Sequence, residues 1–332
     1  MTANERAVGG SDRRKRRAKK QGRAGHEPQP TESPSERELA AGERGRVVAH
    51  HGVAVLVRFD AGGERQIWLT PEQRAVAGDL VVVVGDRLIV LPATGILRRM
   101  DARGRERTIA VNLDLLGIVI ALDLREPPGY IDRGFLIARS AGIEPIVILN
   151  KTDLAGAGEL AHRLDEIYGE SAPVLRVCAK TSEGIAAIPE ALAGGKLGAL
   201  VGPSGVGKSS LLNALVPDLD LRVSELNRGS HKGRHTTTTA TVHDLSGGGL
   251  LIDTAGFKDF IAADVEPGEA AIFFPGFEGP LKDGCRFRDC LHRSEPGCGV
   301  LAALSSGQIP ETRHRAYLQI LDELAAPKKG RR

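Results

Sequence analysis

Along the chain, the spacing of apolar and polar positions changes rhythm three times. From about Glu43 to Leu97 it comes in short β-rich runs, "GRVVAHHGVAVLVRF", "RQIWLT" and "DLVVVVGDRLIVLPA", punctuated by Gly, Asp and Pro with no helical period. Several short strands in ~55 residues predict a small β-barrel, either OB-like or SH3-like, because periodicity does not separate the two. From Leu113 strand and helix patterns alternate. "DLLGIVIAL", "EPIVILN", "PVLRVCA" and "KLGALVG" read as buried strands, and "GYIDRGFLIARSAG", "GAGELAHRLDEIYG", "EGIAAIPEALAG" and "KSSLLNALVP" as the helices after them. Such alternation implies a parallel sheet covered on both faces. "GLLIDTAGF" adds one more strand. Beyond Phe260 the chain turns to loops, a Cys/His cluster and helices, the last around 309–325.

Length and charge refine this outline. A chain of 332 residues has room for two or three domains. No stretch reaches the ~18 unbroken apolar residues of a membrane span. The start, "MTANERAVGGSDRRKRRAKK", lacks the apolar segment of a secretory signal, so a cytoplasmic protein without membrane contact is expected. The net charge is +3, but Ser11 to Arg23 alone carries eight Lys or Arg and one Asp, leaving the rest of the chain acidic. Such a run cannot bury apolar surface, and it is expected to stay disordered until it meets a polyanion. Nucleic-acid contact through counterion release is the favoured role, and a solvated, solubilising tail is the alternative.

Three short motifs carry chemistry. "GPSGVGKS", Gly202 to Ser209, is a full G-x-x-x-x-G-K-S sequence between a strand and an amphipathic helix, the context that defines a phosphate-binding loop. Residues Gly202, Pro203, Ser204, Gly205, Val206, Gly207 and Ser210 would form the cradle, with the helix N-terminus favouring phosphate charge. Lys208 would reach the β- and γ-phosphates, and Ser209 would hold Mg²⁺. Asp253, at the end of the strand before "TAG", is placed to bind the same Mg²⁺, and Gly256 to offer its N–H to a γ-phosphate.

"NKTD" ends a predicted parallel strand, the edge where such sheets bind ligands. Asp153 would accept hydrogen bonds from guanine N1–H and its exocyclic amine, a pattern adenine does not offer. Asn150 would support the loop and the other edge of the base, and the Lys151 stem would pack on the ring. "CAKT" after the next strand would supply the second guanine loop, through the Ala179 N–H and Lys180. Cys178 stands where Ser is usual and reads as a small core residue.

The third cluster is Cys285, Cys290, His292 and Cys298. A Cys₃His set is a closed tetrahedral site for structural Zn²⁺, with no open position for catalysis. His314 and His243 read as ordinary surface residues.

The motif order is unusual, because the base-reading loops precede the phosphate loop, the Thr-rich stretch and DTAG. In a Ras-like sheet the termini lie close together, so a linker there and a cut just after DTAG preserve every contact. "NKTD", "GPSGVGKSS", "GRHTTTT", "DTAGF" and the Cys/His cluster together resemble a bacterial family of circularly permuted enzymes, ribosome small-subunit-dependent GTPase A. The resemblance spans about residues 43–325, and Ala255 departs from it, since Pro is usual there. It implies a multidomain fold: a disordered basic tail (1–42), an OB-like β-barrel (43–98), a circularly permuted α/β P-loop GTPase domain (104–259) and a mainly helical zinc domain (260–332).

The implied activity is GTP hydrolysis in late maturation of the small (30S) ribosomal subunit, slow alone and stimulated by the subunit. The implied ligands are GTP/GDP, Mg²⁺ and one structural Zn²⁺. The implied partners are the 30S subunit and its 16S rRNA, contacted by a monomer. Phe257 occupies the position where Ras-type enzymes carry a water-orienting Gln. The resemblance gives that role to His235, while Thr237 is favoured among the switch threonines for Mg²⁺ and γ-phosphate. A second reading is a GTP-controlled RNA-binding checkpoint with incidental hydrolysis.

Overall fold

The computed structural model describes residues 35–100, 106–124, 129–216, 240–253, 265–282 and 284–326. The charged tail up to residue 34, the segment with His235 and Thr237, and the segment with Ala255, Gly256 and Phe257 lie outside the described residues.

Five antiparallel strands open the fold: β1 (Glu43–His50), β2 (Ala54–Phe59), β3 (Glu64–Trp68), β4 (Leu80–Val84) and β5 (Arg87–Val90). β1 pairs with both β2 and β4, β2 with β3, and β4 with β5. Alternate residues point to one side of a strand, so Val47, Val55, Val57, Ile67, Val81, Val83 and Leu88 meet in one small core. Among the described residues no ladder joins β3 to β5, which leaves the partly open five-stranded barrel of the OB type. The register shifts between Val47 and Ala49, a bulge that bends β1 as it passes from one neighbour to the next. One correction concerns the tail expected to be without structure through residue 42: Glu36–Ala41 forms helix α1, which contacts β4. β6 (Leu97–Met100) and β7 (Glu106–Ala110) pair as a separate hairpin across the boundary expected between barrel and α/β domain.

The α/β unit runs β8 (Leu115–Ala121), α2 (Tyr130–Ser140), β9 (Glu144–Asn150), α3 (Ala157–Tyr168), β10 (Val174–Arg176), α4 (Ala187–Ala191), β11 (Leu197–Val201), α5 (Lys208–Leu215), β12 (Thr241–Asp244) and β13 (Leu250–Asp253). β10, β9, β8, β11 and β13 lie side by side in that order, all parallel, and β12 adds antiparallel to β13. β8 and β11 are buried at every residue, as strands covered on both faces must be. Phe135, Leu164 and Tyr168 from α2 and α3 fill one face, and Ile188, Leu211 and Leu212 from α4 and α5 fill the other. Ala49 of β1 pairs with Thr241 of β12, so barrel and α/β unit share one eleven-stranded sheet. Arg58 closes the same seam, its guanidinium donating to both carboxylate oxygens of Asp244 at 2.7 Å.

Helices α6 (Ala270–Phe273), α7 (Glu278–Lys282), α8 (Gly299–Ser305) and α9 (Glu311–Ala325) follow in the last of the described residues. Their core gathers Phe274, Phe277, Val300, Tyr317 and Ile320 around Leu136 of α2. α2 therefore serves two cores, one face on the sheet and one on the C-terminal helices. Arg313 of α9 joins them, donating to buried Asp132 of α2 at 2.7 Å and to the Pro275 carbonyl at 2.8 and 3.2 Å. Arg139 of α2 bonds Glu278 at 2.7 Å. No helix among the described residues is long and apolar enough to cross a membrane.

Candidate functional site

The C-terminal ends of the five parallel strands open onto one edge, where the side chains of consecutive loops converge. β11 leads into the phosphate loop, and Lys208 begins α5 directly after it. Gly207 caps that helix with φ +94°, and a Cβ there would lie 2.3 Å from Asn150 Nδ2. Glycine is thus required twice at this position, by the left-handed backbone and by the amide that approaches it. The Lys208 ammonium bridges the Gly202 and Pro203 carbonyls at 2.7 and 2.9 Å, which folds its stem over the loop.

Asn150, the last residue of β9, is almost fully buried. Its Nδ2 donates to the Val206 carbonyl at 2.8 Å, and its Oδ1 accepts the Ala179 N–H at 3.1 Å. One side chain therefore ties the phosphate loop to both loops expected to read the base. The Ala179 N–H, given to the base in the sequence reading, is donated to Asn150 here. Asp153 sits two residues into the loop after Lys151, which adopts φ +62°. The Cys178 thiol donates to Asp153 Oδ1 at 3.4 Å, and the Lys180 ammonium lies 3.5 Å from Oδ2. The thiol first, and the ammonium after it, hold the Asp153 carboxyl below its ordinary pKa. Cys178 is fully buried, as expected of a core residue, but it also orients this carboxylate. Lys151 pairs with Asp123 at 2.7 Å, in the loop after β8.

Asp253 ends β13, one strand from β11. Burial raises its pKa, while His243 and Lys208 act in the opposite direction. A divalent cation beside this carboxylate would favour its charged form. His243 is half-buried beside it rather than on the open surface, and burial lowers its pKa. The structure thus brings together the Asn150–Asp153 loop, Ala179, Lys180, the loop from Gly202 to Ser210, and Asp253. Gly256, Thr237 and His235 belong to the segments outside the described residues.

The second cluster is compact. The ligand atoms of Cys285, Cys290, His292 and Cys298 all lie within 4.8 Å of one another. A tetrahedral Zn²⁺ with Zn–S of about 2.3 Å and Zn–N of about 2.0 Å requires S···S of about 3.8 Å and S···N of about 3.5 Å. Cys285 and Cys298 sulfurs are 3.9 Å apart, and His292 Nδ1 lies 3.6, 3.5 and 3.2 Å from the three sulfurs. The donor set fits that ion, with Nδ1 as the imidazole ligand. Burial holds the Cys290 and Cys298 thiols above their ordinary pKa, an arrangement that a divalent cation inverts.

Two supporting residues were not legible in the sequence. Glu295 accepts the N–H groups of Leu291, Arg293 and Ser294 at 2.9, 2.7 and 3.0 Å, fixing the turn that carries His292. These bonds to the charged form bring the Glu295 pKa down to about 2. His314, expected at the surface, is buried and its Nε2 donates to the His292 carbonyl at 2.7 Å. α9 carries it there from beyond the knuckle, a tertiary contact with no local signature. Asp123 had a readable signal, since it directly follows a parallel strand.

A parallel sheet with a phosphate loop, an NKxD loop on the preceding strands and DxxG on a later one defines a circularly permuted P-loop GTP-binding protein. A profile of the RsgA GTPase family matches residues 90–263. A protein of Thermotoga petrophila named "Small ribosomal subunit biogenesis GTPase RsgA" is 36% identical over 294 residues, covering 86% of this chain and 98% of its own. The Pseudomonas fluorescens protein of the same name is 39% identical over 302 residues, covering 86% and 87%. Among solved structures, YjeQ from Thermotoga maritima superposes with a TM-score of 0.69 at 30% identity, over 86% of this chain and 99% of that one. YloQ, titled a circularly permuted GTPase, shares the fold at a TM-score of 0.67 and 23% identity, over 89% and 99%. The chain belongs to the RsgA GTPase family.

Proposed function

We propose that this protein hydrolyses GTP in late maturation of the small (30S) ribosomal subunit, slowly alone and faster on the subunit. The observation that carries the reading is Asn150, which fastens the phosphate loop to the guanine-reading loops across the permuted chain order. The relatives' names supply the process.

In this reading Asp153 pairs with the two guanine donors, and a wrong base would leave that carboxylate unpaired. Lys151, Ala179 and Lys180 flank the ring. The loop from Gly202 to Ser210, with Gly256, wraps the phosphates, and Lys208 exchanges its carbonyl partners for β- and γ-phosphate oxygens. Ser209, Thr237 and Asp253 would hold Mg²⁺, which would neutralise phosphate charge. His235 orients the attacking water, which adds to the γ-phosphorus as the GDP oxygen leaves. Cys285, Cys290, His292 and Cys298 would hold a Zn²⁺ whose role would be structural. The barrel, the basic tail and the zinc domain contact 16S rRNA, and the protein acts as a cytoplasmic monomer.

Phe257, in place of a water-orienting Gln, supports the second reading, an assembly checkpoint in which nucleotide is a conformational ligand. GTP and ATP hydrolysis with and without 30S subunits separates the two. GTP-selective turnover, raised many-fold by 30S and lost in His235→Ala with nucleotide binding intact, supports the enzyme. Tight 30S binding with an unchanged rate supports the checkpoint.

A further inference from the structure

The two sulfur ligands Cys285 and Cys290 hold between them a four-residue tip, "RFRD", in which Arg286, Phe287, Arg288 and Asp289 are all exposed. Phe287 is one of few large apolar side chains at the surface of the described residues, 42% exposed. The Arg286 guanidinium lies 5.5 Å above its ring. The tip is built rather than loose. The Arg286 N–H donates to the Gly297 carbonyl at 2.9 Å, which pins the tip to the turn just before Cys298 and α8. Gly297, at φ +74°, leaves the space in which the Arg286 stem lies, since a Cβ there would be 3.0 Å from Arg286 Cβ. Lys282, Arg288 and Arg293 are exposed nearby in the chain, so from Lys282 to Arg293 basic residues outnumber acidic ones.

We propose that Phe287 is a stacking platform for an unpaired RNA base, with Arg286 and Arg288 engaging the adjoining phosphates. An exposed ring costs its own hydration and contributes nothing to the knuckle's core, which Phe274, Phe277 and Tyr317 already fill. Unpaired bases are recognised by stacking on aromatic rings and guanidinium planes, whereas a duplex presents no free base face. Arg286 and Arg288, the exposed chain neighbours of Phe287, suit the backbone that carries such a base. A metal-clamped loop holds the ring with little conformational entropy left to lose on binding. The inference rests on the reading of this protein as an RNA-contacting GTPase, and it names one contact within it.

The test uses the full chain, zinc-loaded, with a single-stranded RNA decamer carrying 2-aminopurine, and separately with 30S subunits and a GTP analogue. Phe287→Ala is expected to weaken decamer binding roughly tenfold and to abolish 2-aminopurine quenching. Phe287→Trp is expected to restore both, and zinc stoichiometry should be unchanged in each variant. If Phe287→Ala binds and quenches the decamer like the parent, the stacking role is overturned while RNA contact elsewhere stands. If decamer binding ignores the substitution but 30S binding weakens, the tip faces a ribosomal protein and the proposal fails. If the parent binds neither decamer nor 30S, the underlying reading fails with it.

Discussion

Removing Arg313 should undock the C-terminal helices from α2. Its side chain is 9% exposed and that of Asp132 6% exposed. The guanidinium lies between the Tyr168 ring at 4.5 Å and the Phe274 ring at 5.1 Å. It donates once to Asp132 and twice to the Pro275 carbonyl, while the Tyr168 hydroxyl donates to the same Asp132 oxygen at 3.2 Å. Arg313→Met keeps much of the stem but leaves a buried carboxylate and a carbonyl short of donors, a loss of about 3–5 kcal/mol. Hydrogen exchange reads that loss locally, and amide protection over α9 should fall by roughly two to four orders of magnitude at pH 8.

The pH dependence follows from Asp132. Burial already raises its pKa, against the opposing pull of Arg313 and Tyr168. Without Arg313 the folded pKa rises further above the unfolded value. The folded state is then favoured while the carboxyl is protonated and loses stability as pH climbs through that raised pKa. The variant's deficit should therefore shrink on acidification. Adding Asp132→Asn removes the buried charge and should recover part of the protection at pH 8. Protection within a factor of five of the parent at pH 8, or a double variant worse than the single one, would refute the account.

Asn150→Ala leaves the Val206 carbonyl and the Ala179 N–H without their partner, so GTP and GDP affinity should both fall by about 2–4 kcal/mol, measurable by calorimetry. Asp153→Ala should weaken GTP far more than ATP, which a competition assay reads directly. Metal analysis should find one zinc per chain. Cys285→Ser should lose the ion and expose the Phe274, Phe277 and Tyr317 core, seen as dye binding and lower protection over α8 and α9. Asp79, buried in the barrel with Oδ2 accepting the Val76 N–H at 2.7 Å, has its pKa raised to about 6 by burial. Ionising it costs folding stability as pH rises from the unfolded value through 6. Asp79→Asn should accordingly stabilise the barrel by about 1–2 kcal/mol at pH 8 and lose that advantage below pH 4, as denaturant melts across pH would record.

The features legible before folding are those written in contiguous residues. The phosphate loop is legible because strand, glycine turn and lysine-led helix are consecutive, and backbone N–H groups need no distant partner to point inward. The Cys₃His cluster is legible because its four residues fall within fourteen positions, and a metal held by them would fix their geometry whatever surrounds them. NKTD and DTAG were readable from the strands they end. Periodicity alone made the barrel readable as β and left its OB-like form to the family resemblance, because period-two alternation gives the inward face and not the pairing order of strands. Tertiary structure alone decided the contacts between positions far apart in the chain. It set Asn150 against Val206, Ala49 beside Thr241, and Arg58 on Asp244. It also carried His314, expected at the surface, beneath the His292 carbonyl, and sank the Asp132–Arg313 pair between α2 and α9. None of these has a local signature. Each depends on a side chain being desolvated by elements that only packing brings together, and burial of that kind is a property of the assembled layers rather than of any stretch of chain.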